Sequence, residues 1–275
     1  MSKIPFITFP TGQSVPQFGL GTWELTGDAC RRSVADALAM GYKHIDTAVG
    51  YSNHTDVAVG IKDSGVARDS FFLTTKIPPS KLARSQVIEV GKTSVKELGV
   101  EYVDLLLIHW PTRKVPLEET IGAMNELVKS GITRAIGVSN FNQDLVTEAC
   151  RLSDAPICTN QVEYHPYLNQ TELLKTCTDL GVVITAYSPL TRGKVFSDDT
   201  LKAIAIKHKT TVSQVVIAWL ISKGIIVIPK ASGKAHLEDN LAGVSLQLDV
   251  DDVTTIENIP ETIRLVDGSW VEYPF

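Results

Sequence analysis

VDLLLIHW, residues 103–110, is an almost unbroken apolar run that ends on a histidine and a tryptophan. A strand half exposed to water would alternate polar and apolar side chains, whereas a continuous run suits a parallel strand covered on both faces. IIVIPK at 225–230 has the same character. Working outward from these two, strand-like runs fall at 43–47, 71–77, 103–109, 134–139, 157–163, 182–187, 225–229 and 244–248. Helical patterns fall at 28–40, 55–64, 84–98, 118–130, 142–152, 170–180, 211–223 and 249–259. Most of these helices close on a glycine, as at Gly41 and Gly99, where a residue without a Cβ takes the left-handed cap cheaply. The opening, FITF, a Thr-Gly turn and VPQFGLGTW, has the form of a short β-hairpin. Eight strand–helix units predict an α/β fold, a (β/α)8 TIM barrel with an N-terminal β-hairpin. The competing open, doubly wound sheet lacks its usual fingerprint, because Gly19-Leu20-Gly21 runs into Thr22-Trp23-Glu24 with no third glycine.

Composition sets the limits. The 275 residues are 44% apolar, enough for a large core, and nowhere shift toward a Pro/Gly/Ser linker, so a single domain spanning 1–275 is expected. The formal charge is −5 and the basic residues are scattered, which argues against a nucleic-acid partner. Cys30, Cys150, Cys158 and Cys177 show neither CxxC spacing nor grouping with histidine, the pattern of free thiols in a reducing compartment. MSKIPFITFPTGQ lacks a secretory pattern, and no apolar run approaches membrane-spanning length. A cytoplasmic protein with no membrane partner is the expectation.

Barrel active sites gather at the carboxyl ends of the strands. Asp46 follows KHI, Tyr51 lies five residues further on in the loop, Lys76 closes FFLTTK, and His109 closes VDLLLIH. A phenol is a poor acid at neutral pH until a nearby cation favours the phenolate, and Lys76 could be that cation. A buried ammonium needs its own counter-charge, which Asp46 could supply. His109 could donate a hydrogen bond to a carbonyl oxygen and orient it toward Tyr51. Taken singly, each has a plain alternative as a cap, a surface aromatic, a solvated strand end or a core histidine. His44, Asp46 and His109 could instead share a metal, but no HxH pair or clustered second ligand set supports it. Acyl transfer lacks its GxSxG elbow.

The motifs GLGTW (19–23), GYKHIDTAVGY (41–51), TTK (74–76), LLLIHWP (105–111), GVSNF (137–141), NQVEYHPYL (160–168), TAYSPL (185–190) and IPK (228–230) resemble those of the aldo-keto reductases, in family order. The chain is similar in particular to the short bacterial reductases of aldehydes, methylglyoxal and diketo-sugar acids. The resemblance implies carbonyl reduction by NADPH, without metal, in a monomer. It makes Tyr51 the general acid, tuned by Lys76 and Asp46, with His109 positioning the carbonyl. Gly21, Thr22 and Asp46 would border the cofactor; Ser139, Asn140 and Gln161 would hold its carboxamide, and Tyr187 would stack on the nicotinamide. Ser188, Leu190 and the Thr191–Lys194 turn with Arg192 would take the pyrophosphate. Lys230, Ser232 and His236 would cradle the 2′-phosphate, while Asp239 and Asn240 would touch the adenine.

The chain departs from that pattern in two places. Ala231 stands where the lysine is usually followed by Ser or Thr, and His236 where an arginine is usual, so discrimination against NADH should be weaker than in relatives that keep a bidentate guanidinium. Asn53 is followed by His54 rather than an acid. On the substrate side, Trp23, Trp110 and Trp270 would wall the reacting carbonyl, and Arg113, Lys114 and Arg192 could favour an anionic substrate. A nucleotide-dependent sensor built on the same barrel is the rival from another class, opposed by the intact catalytic positions.

Overall fold

The computed structural model describes residues 3–267 and 272. An antiparallel hairpin, β1 (Phe6–Thr8) and β2 (Ser14–Pro16), precedes an eight-stranded parallel sheet. The sheet runs in chain order: β3 (Leu20–Gly21), β4 (His44–Asp46), β5 (Phe72–Ile77), β6 (Val103–Ile108), β7 (Thr133–Ser139), β8 (Ile157–Glu163), β9 (Val183–Tyr187) and β10 (Ile226–Val227). Its two ends meet. Phe18 bridges Val227 and Gly21 bridges Lys230 in parallel, with Gly19 N donating to Val227 O at 3.0 Å and Gly21 N to Pro229 O at 3.1 Å. A Cβ on Gly21 would lie 2.6 Å from the Ile228 carbonyl oxygen, so this seam requires glycine. The expected TIM barrel is therefore closed.

Helices α1 (Gly27–Ala39), α2 (His54–Ser64), α3 (Arg84–Glu97), α4 (Leu117–Lys129), α5 (Gln143–Leu152), α6 (Thr171–Asp179), α7 (Asp199–Lys207), α8 (Val212–Ser222), α9 (Lys234–Ala242) and α10 (Val250–Glu257) accompany the strands. Two expectations are corrected. The strand expected at 244–248 does not form: Gly243–Ser245 is a 3-10 turn whose Val244 is buried on the helical layer. Its place in the barrel belongs to β3, because the run after the hairpin turn continues past β2 into the seam. Helices α7 and α9 are additions; Asp198 starts α7 by accepting from Leu201 N at 2.9 Å.

Alternation inside each strand sorts the side chains into two layers. Leu73, Ile77, Leu106 and Ile108 face outward into the core shared with the helices. Phe72, Leu105, Leu107, Ile226 and Ile228 fill the barrel, closed below by Phe9 and Val15 of the hairpin. The inward rows of β5 and β6 continue upward as Phe72-Thr74-Lys76 and Leu105-Leu107-His109, apolar at the floor and polar at the mouth, while β4 adds the polar pair His44 and Asp46. The four cysteines are free, and burial pushes the thiols of Cys30 and Cys158 up to about 12 and about 11. Among the described residues no helix is long and apolar enough to cross a membrane.

Candidate active site

Lys76 is fully buried, and its ammonium uses all three donors: Asp46 Oδ1 at 2.5 Å, Thr47 O at 2.9 Å and Tyr51 Oη at 3.3 Å. The second Asp46 oxygen accepts from Gln161 Nε2 at 2.8 Å, which links β4 to β8 across the mouth. Tyr51 reaches this point because the chain after β4 coils into a 3-10 turn, Val49–Tyr51. Asn53 fixes that turn. It accepts from Thr47 Oγ1 at 2.8 Å and donates to the carbonyls of Thr22 and Leu25, both at 2.9 Å. His109 packs edge-on against the Tyr51 ring, centroids 5.5 Å apart. The four residues expected at the mouth are thus one cluster.

Their proton affinities follow from burial and from one another. Burial raises the Tyr51 pKa above the usual phenol value, and the pull of Lys76 in the other direction does not overcome it. Lys76 does pull the phenol down as expected, through its charge and its hydrogen bond, but burial outweighs it, so the phenol is held protonated with the cation ready for the phenolate. Burial works against the Lys76 ammonium, but Asp46 and Tyr51 outweigh it and leave its pKa raised. Burial and then Lys76 hold His109 down to about 3, so this imidazole is neutral at ordinary pH.

A second polar group is continuous with the first. Asn140, in the left-handed region at φ 63°, donates to His109 O at 3.0 Å and to Ser139 Oγ at 3.1 Å, and accepts from Tyr187 Oη at 2.9 Å. Ser139 Oγ donates to Gln161 O at 2.7 Å. Both groups open on a cavity of about 920 Å³, whose lining extends from Tyr51, His109 and Trp110 past Tyr187, Ser188 and Leu190 to Arg192, Lys230, His236 and Asn240. Gly21, Thr22 and Trp23 form its near edge. Amide and hydroxyl groups with an aromatic face stand at the tetrad end, and cations stand at the far end. That donor set fits an extended phosphorylated dinucleotide with a neutral ring at one end.

Some expected residues are not gathered. Ser232 is exposed and outside the lining, as are Arg113 and Lys114. Trp270 lies outside the described residues. Asp239 lines the groove, but its carboxylate is engaged by Thr211 Oγ1 at 2.9 Å, Gln214 Nε2 at 2.7 Å and Ser213. Both Asp46 oxygens are engaged, by Lys76 and Gln161, which opposes a metal there.

Three contributors were missed in the sequence. Glu24 enters the lining beside Lys230. Glu163 accepts from Leu265 N at 2.7 Å, Val266 N at 3.0 Å and His165 Nε2 at 2.8 Å, and so fastens the segment that brings Val266 to the cavity. His54 bridges Thr75 Oγ1 at 2.8 Å and Glu97 Oε2 at 3.0 Å next to Lys76. A glutamate closing the otherwise uncharged strand ICTNQVE was the one legible signal.

The profile of the aldo/keto reductase family matches residues 17–261. Methylglyoxal reductase DkgB of Escherichia coli O157:H7 is 40% identical over 256 residues, covering 92% of this chain and 96% of the relative. Glyoxal reductase of Bacillus subtilis is 35% identical over 255 residues, 92% of each. Among solved structures, an aldo-keto reductase of Bombyx mori in complex with NADP superposes with a TM-score of 0.93 at 33% identity, covering 100% of this chain and 99% of that one.

Proposed function

Because the chain belongs to the aldo/keto reductase family and is an NADPH-dependent oxidoreductase acting on carbonyls, we propose that Tyr51 is its general acid, served by Lys76, Asp46 and His109. When bound, NADPH supplies the hydride that adds to the carbonyl carbon. Neutral His109 donates a hydrogen bond to the carbonyl oxygen and turns it toward Tyr51. The Tyr51 O–H bond breaks as the alcohol O–H forms, and the phenolate left behind faces the Lys76 ammonium across 3.3 Å. Asp46 keeps that ammonium charged and in place, and a proton taken up from solvent water returns the phenolate to the phenol. The observation carrying this assignment is the Lys76–Tyr51 contact beside a histidine whose pKa of about 3 leaves no imidazolium to compete as the acid.

Ser139, Asn140 and Gln161 hold the carboxamide and Tyr187 packs on the ring, supported by their shared hydrogen-bond chain. Arg192 with Ser188 and Leu190 takes the pyrophosphate, Lys230 with His236 the 2′-phosphate, and Asn240 the adenine; all of them line the one cavity. Trp23, Trp110 and Val266 wall the substrate. Small dicarbonyls such as methylglyoxal are the substrate class favoured by the relatives, with aromatic aldehydes and keto-sugar acids as further candidates. We read the chain as one barrel domain acting as a monomer, in line with its family resemblance, and as cytoplasmic, in keeping with its free thiols.

The experiment is NADPH or NADH oxidation, followed by absorbance, with methylglyoxal or a nitrobenzaldehyde. Turnover favouring NADPH is expected. Tight NADPH binding with no turnover of either aldehyde would favour a sensor.

A further inference from the structure

Glu24 stands opposite the cations of the groove. Its carboxylate lies 3.6 Å from Lys230 Nζ, and the indole of Trp23 beside it lies 4.8 Å from the Arg192 guanidinium. One two-residue segment, on the loop after β3, therefore engages both side chains assigned above to phosphate groups. Glu24 sits at φ 59°, in the left-handed region that a long side chain seldom occupies. Its neighbours hold it there: Leu25 N donates to Thr22 O at 3.0 Å, and Asn53 Nδ2 donates to the carbonyls of both Thr22 and Leu25. The direction of the Glu24 side chain is thus set by a backbone tied to the buried Asn53.

A carboxylate and a phosphate brought to one ammonium compete for it. A cofactor carrying a 2′-phosphate adds close to two negative charges at that point, and a cofactor without it adds none. His236, which lines the same groove, has neither the permanent charge nor the fork geometry with which a guanidinium matches a phosphate bidentately. We propose that Glu24 is a specificity-determining residue: it is the internal counter-anion of Lys230, which a 2′-phosphate has to displace, and it narrows the preference for NADPH over NADH. The inference rests on Lys230 being the 2′-phosphate site. Lys230 and Glu24 are 44% and 57% exposed, so the effect is modest and falls with added salt.

Titration calorimetry with NADP+ and NAD+ on the wild type, Glu24→Gln, Lys230→Met and the double variant tests it. Glu24→Gln should tighten NADP+ by about two- to fivefold and leave NAD+ unchanged, with the gain shrinking at high salt. In the Lys230→Met background the same substitution should do nothing. An equal gain for both cofactors, or none for NADP+, overturns the role of Glu24. If Lys230→Met itself fails to weaken NADP+ relative to NAD+, the Lys230 assignment falls instead.

Discussion

The ammonium of Lys76 stands 3.3 Å from the phenol oxygen of Tyr51, and its other two donors are fixed on Asp46 and Thr47. It has nowhere else to turn. Lys76→Met should therefore remove two things together: the partner of the phenolate and the counter-charge of a buried aspartate. Stranding Asp46 is expected to cost about 3–5 kcal/mol, read in denaturant unfolding, and kcat should fall by about 10²-fold or more. Lys76→Met with near-wild-type stability would contradict the pairing. Because the folded pKa of Lys76 is raised, the stability of this pair is fully present below the ordinary lysine value of 10.5 and is lost only as pH rises through the folded value.

His109 gives the opposite pH signature. Its folded pKa of about 3 lies below the ordinary 6.5, so in between the unfolded chain binds a proton that the folded one does not. Stability should rise with pH across that window and be lost as pH falls from about 6.5 toward 3. His44, held down to about 4 by burial, adds to the same trend. Melting temperatures at pH 7 and pH 5 should fall further for the wild type than for His109→Asn. Equal falls would sink the assignment. The reduction itself should show no ionisation step near 6.5, and its alkaline limb should lie above the usual tyrosine range, since burial raises the Tyr51 pKa.

Asn53 is the strut of the Tyr51 loop. Asn53→Ala deletes three buried hydrogen bonds and leaves the Thr22 and Leu25 carbonyls without this donor. A loss of about 2–4 kcal/mol in unfolding free energy is expected, together with a lower kcat, because Tyr51 lies two residues away. A stable variant with reduced kcat would place the role in the loop; unchanged values of both would refute it.

Glu163 should behave as a fastener. Glu163→Gln keeps one acceptor oxygen for two backbone amides, so amide exchange at Leu265 and Val266 should speed up while the barrel strands stay protected. Unchanged exchange at both amides would show that the segment is held by its other contacts, such as Ile263 N to Tyr167 O at 2.9 Å.

Much of this was legible in the sequence because long strands with polar ends leave a strong trace. VDLLLIH and FFLTTK carry both the wall and the polar tip of their strands, and Lys76 and His109 stand at the barrel mouth where the motifs put them. The seam was illegible: β3 and β10 pair through only a few residues around Gly21, too few to make an apolar run, and the alternating VSLQL at 244–248 offered a false eighth strand. Helix α9 was missed because it buries little besides Leu237 and Asn240. Glu24 and Glu163 look like ordinary surface acids until the fold brings Lys230 to one and the amides of 265–266 to the other. Their roles depend on partners more than a hundred residues away, which local pattern does not encode.

The most direct test is Tyr51→Phe, which keeps the ring against His109 and removes the hydroxyl that carries the proton and accepts from Lys76 Nζ. The expected result is a fall in kcat for methylglyoxal by about 10²–10⁴-fold with an NADP+ dissociation constant close to that of the wild type. Turnover near the wild-type rate would contradict Tyr51 as the acid.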